Sequence, residues 1–272
     1  MISSYSHYYE SSETFHGSLQ GIMGTRFDVV MTGCDELKGQ SVWDIIVLEL
    51  KRLDGMLNRF DSKSELSRLN QQAVGNPVSV SPEMWTVLTG CKRYHALTLG
   101  LFDITLKDFS LVSFDEISHS ILLPSEKFAF DLGGYAKGYA MEKMKTILRE
   151  NAIENAFIDF GNSSIVGLGH HPYGDCWKVS IENPFRKEEI LGEVSLINQD
   201  ISTSGNTPLY SNHIIHPFTG EYSDAKKLVS VVANNSIQAE VLTTTLMIAT
   251  NEQKEAITPA FDIEKITSYD IQ

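Results

Sequence analysis

Apolar and polar positions alternate over Thr25–Thr32, where Phe27, Val29 and Met31 are set against Arg26, Asp28 and Val30, and this period of two predicts a half-buried strand. From residue 41 the period lengthens. Val42, Ile45, Ile46, Leu50, Leu53 and Leu57 recur at helical spacing, which predicts a helix over 41–57 with Ser41 as its cap and Asp44 in the first turn. A polar stretch over 58–77 holds a short helix at 65–71. Ser81-Pro82-Glu83 then opens another helix, whose Met84, Leu88, Cys91, His95 and Thr98 share one side and which Gly100 ends. Residues 109–123 read as mixed, strand-rich chain. Phe128, Phe130 and Leu132 form an apolar strand pattern that runs into Gly133-Gly134 and a helix over 137–151.

Beyond that helix, strands are predicted at Asn155–Phe160, Trp177–Glu182, 192–198 and 200–204. Lys227–Ala233 is nearly all apolar, as an internal strand would be, and a last helix is predicted over 236–251 with Ser236 or Asn235 as cap. No repeat or break in composition divides the chain, so the expected architecture is one intertwined α+β unit over 21–272 behind a loose polar leader at 1–20.

Composition changes this picture little. Of 272 residues 42% are hydrophobic and 10% aromatic, which suits a folded protein with a proper core. The formal charge of −13, from 35 acidic and 22 basic side chains, argues against a nucleic-acid or anionic-membrane partner bound by bulk charge, while leaving a local phosphate site open. Cys34, Cys91 and Cys176 are odd in number and widely spaced, so neither a disulfide framework nor a cysteine metal knot is expected. No apolar run reaches the length of roughly eighteen residues that a membrane span needs, and no signal sequence opens the chain, so a cytoplasmic protein is expected.

The candidate chemistry gathers at the joints. Gly133 and Gly134 let the backbone turn and approach a ligand, and the helix start beyond them offers unpaired N–H groups and a positive dipole end to an anion, with Lys137 as a mobile cation. The same residues serve equally well as a plain turn. Leu101-Phe102-Asp103 follows a helix end and pairs an aromatic with an acid, as a flat ring with polar edges requires, or else tucks Phe102 into the core. Ser202-Thr203-Ser204-Gly205-Asn206 suits a loop that gives hydroxyls and amides to phosphate or sugar. His213 and His216 fall on opposite sides of an extended run and so cannot easily grip one metal; one of them fits a general base or a hydrogen-bond donor. Glu240, Thr243 and Thr244 share one helix face, and their oxygens suit magnesium or, alternatively, a solvated stripe. His170-His171 reads as an exposed turn.

Taken in order, these segments resemble the FAD:protein FMN transferases, the ApbE family. Met23-Gly24-Thr25 is similar to its opening Met-Gly-Thr, and Ser64-Glu65-Leu66-Ser67-Arg68-Leu69-Asn70 to its Ser-Glu-Leu-Ser-Arg-Leu-Asn. Leu101-Phe102-Asp103 resembles Ala-Phe-Asp, residues 131–140 Asp-Leu-Gly-Gly-Ile-Ala-Lys-Gly-Tyr-Ala, and Thr203-Ser204-Gly205 Thr-Ser-Gly. Residues 213–220 resemble His-Ile-Ile-Asp-Pro-x-Thr-Gly, and 239–244 Ala-Asp-Ala-Leu-x-Thr. The resemblance implies a T-fold-like architecture of intertwined mixed and antiparallel sheets with flanking helices. It implies FAD as substrate, contacting Met23, Leu101, Phe102, Asp103, Asp131, Lys137 and Ile215, with Ser204 nearby. It also implies Mg2+ between the backbone of Gly134 and Ala136 and the side chains of Glu240 and Thr244, with Thr243 close. The implied reaction moves FMN from FAD to a Ser or Thr hydroxyl of a partner flavoprotein and releases AMP, with His213 as the group that takes the proton. An FAD pyrophosphatase or a non-catalytic FAD-binding protein would use the same pocket. His216 and Glu240 stand where the family usually has Asp, and the tracts over 106–131 and 205–213 are short.

Overall fold

The computed structural model describes residues 2–105, 107–186, 188–208 and 214–271. The chain begins with β1 (Ser3–Tyr9) and β2 (Thr14–Ile22), an antiparallel pair, so the loose leader expected over 1–20 is a correction: most of it is strand. Two features hide these strands. In β1 the residues are Ser, Tyr and His, without aliphatic alternation. In β2, Gly17 interrupts the inward row of Phe15 and Leu19 because the Trp43 ring lies where its Cβ would be.

Next come β3 (Thr25–Thr32), as expected, and α1 (Glu36–Leu57). The helix starts five residues before Ser41, because Asp35 accepts the Lys38 N–H as cap and the polar first turn carries no apolar stripe. Then follow α2 (Glu65–Gln72) capped by Ser64, β4 (Val78–Ser79), and α3 (Pro82–Leu97) capped by Ser81 with Met84, Leu88 and Cys91 buried. The segment 109–123 holds only a single 3-10 turn and two short strands, β5 (Ser113–Asp115) and β6 (Ser120–Leu122).

The apolar run Phe128-Phe130-Leu132 is not a strand, contrary to expectation. Asn70 does what a neighbouring strand would do: its Oδ1 accepts the Phe130 N–H at 2.8 Å and its Nδ2 donates to the Phe130 carbonyl at 3.0 Å, while Phe130 and Leu132 are buried. Beyond it lie α4 (Ala136–Glu150), β7 (Asn155–Phe160), β8 (Ser164–Leu168), β9 (Trp177–Glu182), β10 (Ile190–Leu196), β11 (Gln199–Gly205) and β12 (Lys227–Ala233). The last predicted helix, 236–251, ends early as α5 (Ser236–Ile248), capped by Asn235, and an unpredicted α6 (Asn251–Ile257) follows, because Thr250 and Gln253 form a capping box that starts a new helix. The chain closes with β13 (Ile263–Asp270).

Among the described residues eight strands form one sheet in the order β1-β2-β3-β7-β8-β11-β12-β13, with every neighbour antiparallel, and β4-β6-β5 form a small second sheet. The fold is therefore α+β. Alternation along β12 separates two cores. Val229, Val231 and Ala233 belong to the main core that α1, α4 and α5 share with the sheet, while Leu228 and Val232 pack with Trp177, Val179 and Leu196 of the β9–β10 hairpin. Burial on both faces explains why Lys227–Ala233 is almost continuously apolar. Among the described residues no helix is long and apolar enough to cross a membrane.

Candidate functional site

The start of α4 is built without a side-chain cap from Tyr135, its N-cap residue. The carboxylate of Glu240, from α5, supplies one across the gap: Oε2 accepts the Gly138 N–H and Oε1 accepts Lys137 Nζ at 2.5 Å. A negative group at a helix N-terminus is stabilised by the orphan amides and the dipole. Close approach makes this contact, since a Cβ on Gly138 would lie 2.8 Å from the Ser236 carbonyl oxygen and 2.9 Å from Ile237 Cα. The glycine at 138 thus lets α4 and α5 touch through their backbones.

On α5 the hydroxyls of Thr243 and Thr244 donate back to the Glu240 carbonyl oxygen at 2.9 and 3.2 Å. Thr243 also receives a bond from Ser204 Oγ at 3.0 Å and lies 3.3 Å from Ser202 Oγ, so it fastens the Ser-Thr-Ser strand β11 to the helix. Thr244 points toward the glycine joint, where a Cβ on Gly134 would be 3.6 Å from its Oγ1 and 3.5 Å from the Phe102 ring. Thr244, Gly134 and Phe102 therefore meet at one place, and Glu240 stands one helical turn before Thr244 on α5 with its carboxylate on Lys137 and Gly138. Glu240 and Thr243 are buried, so the face is not a solvated stripe, although both threonines bond back to the helix as that alternative reading has it.

The 101–103 turn is shaped from within. Thr98 Oγ1 accepts the Phe102 N–H at 3.0 Å, and His95 Nδ1 bonds the Phe102 carbonyl at 3.0 Å. The Asp103 side chain is 1% exposed and faces its own loop, accepting from the Thr105 N–H and hydroxyl and from the Phe109 N–H. Its carboxylate organises the turn, while Phe102 is tucked into the main core, as the alternative reading has it, with one ring edge beside Gly134. Phe218 packs against Gly100, 3.0 Å from where a Cβ would stand, which brings the 214–222 hairpin onto this turn; Ile215 bridges Tyr222 there. His216 Nδ1 is buried without a hydrogen-bond partner among the described residues. His213 lies outside the described residues.

Asp131 caps the joint locally by accepting the Gly133 N–H at 2.9 Å, and it pairs with Arg59 Nη1 at 2.5 Å. Arg59 is the residue sequence reasoning missed. It stands in the polar 58–77 stretch, 72 positions from Asp131, and no local pattern connects the two. Met23 occupies the β2–β3 turn with a left-handed φ of 46°, and its N–H bonds Asp54 of α1 at 3.2 Å. His170 and His171 are in a turn, as expected, closed by the Gly174 N–H on the His171 carbonyl.

For a divalent cation the donor chemistry fits. Glu240 gives a buried carboxylate and Thr244 a hydroxyl one turn on along α5, both hard oxygen donors, and Thr244 faces the backbone at Gly134. Among the described residues no three His, Cys, Asp or Glu side chains are grouped so as to hold a metal ion, so an ion here would depend on Glu240 with hydroxyl and carbonyl oxygens completing its shell.

The model of the ApbE family matches residues 23–116 and 107–266, and the chain belongs to that family. It is 28% identical over 242 residues, 74% of each chain, to the FAD:protein FMN transferase of Chlamydia muridarum. To one from Klebsiella pneumoniae it is 25% identical over 276 residues, 86% of this chain and 79% of the relative. The fold is similar to the crystal structure of the ApbE protein of Thermotoga maritima, with a TM-score of 0.79 at 18% identity over 100% of this chain and 97% of that one. The flavin transferase ApbE of Vibrio cholerae gives 0.76 at 19% identity, over 100% and 97%.

Proposed function

We propose that this protein is an FAD:protein FMN transferase that moves FMN from FAD to a Ser or Thr hydroxyl of an acceptor protein and releases AMP. The observation that carries the reading is the closure of the glycine joint on α5, where Glu240 bonds both Lys137 and Gly138 beside Thr244. A dinucleotide's bridging phosphates suit that cleft, because the start of α4 and the cations Lys137 and Arg59 offset their charge.

In this reading Phe102, with Leu101 and Ile215, lines the flavin dinucleotide, and Met23 contacts it from the β2–β3 turn. Asp131 fixes the glycine joint and orients Arg59, and Asp103 keeps the 101–103 turn in shape. Glu240 and Thr244, with the Gly134 and Ala136 carbonyls, would hold Mg2+. Thr243, whose hydroxyl already bonds Ser204 and the helix, keeps β11 in place beside it. When bound, magnesium supplies a Lewis-acidic charge beside the phosphates. The acceptor oxygen forms a bond to the flavin-side phosphorus while the anhydride P–O bond breaks, its electron pair leaves with AMP, and the hydroxyl proton passes to His213.

Incubating the full chain with FAD, Mg2+ and peptides bearing a candidate Ser or Thr tests this. A peptide heavier by one FMN, with one AMP released per transfer, is the expected outcome. Free FMN and AMP formed at the same rate with every peptide and with none would replace transfer by hydrolysis, and unchanged FAD would contradict both.

A further inference from the structure

We propose that Lys137 and the divalent cation exchange on a single oxygen of Glu240, so that Lys137 is a displaceable internal cation of the metal site. This rests on the metal-site reading given above. Lys137 Nζ lies 2.5 Å from Glu240 Oε1, while Oε2 is held by the Gly138 N–H of α4. The two oxygens therefore have different partners. The amide is part of the helix and cannot leave, whereas the ammonium sits on a flexible four-carbon stem.

Exposure divides the pair the same way. The Glu240 side chain is 3% exposed and the Lys137 side chain 22%, so the lysine head has a way out and the carboxylate does not. Oε1 keeps a second lone pair, but magnesium takes its oxygens at about 2.0–2.1 Å, so an ion on that oxygen would stand only a few ångströms from the ammonium. Two cations at that separation also repel strongly in a partly buried site. Magnesium entry therefore moves Lys137 off Oε1, and the freed ammonium, anchored one residue into α4, is left at the helix start facing anionic phosphate.

Two consequences follow by linkage. Without dinucleotide, Lys137 opposes magnesium binding; with it, the phosphates draw the lysine away and magnesium binds more tightly, so each ligand strengthens the other through this residue. The length of the side chain at 240 matters here, since the Glu arm reaches both the Gly138 amide and Lys137.

Calorimetric titration of the full chain with Mg2+, in the absence and presence of FAD held at a temperature and time that prevent turnover, tests the exchange. The chains compared are wild type, Lys137→Met, Lys137→Gln and Glu240→Gln. Without FAD both lysine variants should bind Mg2+ about tenfold more tightly than wild type, the effect of removing one charge-assisted bond. The gain in Mg2+ affinity that FAD gives wild type should shrink by a similar factor in both variants, and Glu240→Gln should bind little Mg2+ in either condition. If wild type binds no Mg2+ with or without FAD, the metal-site reading fails and this one with it. If wild type and Glu240→Gln behave as expected but the lysine variants bind Mg2+ no more tightly, the metal site stands and the exchange is overturned. Tighter binding with the FAD effect undiminished also overturns it, because Lys137 would then repel the ion without moving.

Discussion

Glu240 shows how much one side chain can be asked to hold. Its carboxylate caps α4, pairs with Lys137 and is proposed to hold a cation, and its carbonyl anchors two threonines. Glu240→Ala is expected to abolish FMN transfer while retaining measurable FAD affinity, as read by flavin fluorescence; wild-type transfer in that variant would remove its assigned role. A second buried group matters for stability. Lys145 reaches Asp200 at 2.6 Å and Glu142 at 2.9 Å, and burial pushes the Asp200 carboxyl up to about 6 against the pull of Lys145. Between about pH 4 and 6 the folded chain therefore holds a proton at Asp200 that the unfolded chain releases, so this group's contribution to stability falls as pH rises through that window. Asp200→Asn should flatten that part of a melting-temperature profile; an unchanged slope would count against the assignment. At this scale the motif residues were legible, because Gly133-Gly134 and Glu240–Thr244 are local patterns with known chemical preferences. Arg59 with Asp131 and Lys145 with Asp200 were not, since a salt bridge between distant positions leaves no periodic trace.

Elements were legible where a cap or an uninterrupted period marks them. Thr25–Thr32, Asn155–Phe160, Trp177–Glu182 and Lys227–Ala233 emerge from alternation or continuous apolarity, and α3 from its Ser-Pro-Glu start. The strands β1, β2, β8 and β13 were missed because polar residues or a close-packing glycine break the alternation, and 128–132 was misread because its alternation packs a loop and not a ladder. Helices are also tied by charge. Glu83 of α3 is bound by Arg52 of α1 at 2.6 Å and by Tyr139 and Lys143 of α4 at 2.8 and 3.1 Å. Partial burial alone would raise its carboxyl, but these bonds outweigh that and hold it down at about 2. The stabilisation is therefore complete above its ordinary value of 4.5 and is lost as pH falls toward about 2. Glu83→Gln should lower the melting temperature at pH 7, with the difference from wild type closing as pH falls; a constant difference would show that the bonds among these three helices do not titrate as described.

The whole molecule depends on its first twenty-two residues, which look dispensable in sequence. Phe15, Leu19 and Ile22 of β2 are 1%, 0% and 0% exposed, and β2 lies between β1 and β3 in the main sheet. Burying three such side chains contributes roughly 5–9 kcal/mol, comparable to the full stability of about 5–15 kcal/mol typical of a domain. Deleting residues 1–22 is expected to give a chain without a cooperative unfolding transition by circular dichroism. A truncated chain that melts like the full one would restore the view of this segment as a loose leader. The α+β class was legible at this scale from mixed periods alone. The order of the eight strands was not, because antiparallel pairing between segments as distant as β3 and β7 is settled by packing against α1 and α4 and leaves no local signature.

The central claim is that the glycine-paired start of α4 and the Glu240–Thr244 face of α5 together hold the phosphates of FAD. A crystal structure of the protein grown with FAD and Mg2+ measures this most directly. The account predicts the bridging phosphates between residues 133–137 and Thr244, with a magnesium ion bonded to Glu240. Phosphates bound elsewhere, with the Phe102–Gly134–Thr244 cleft closed by its own side chains, would contradict it.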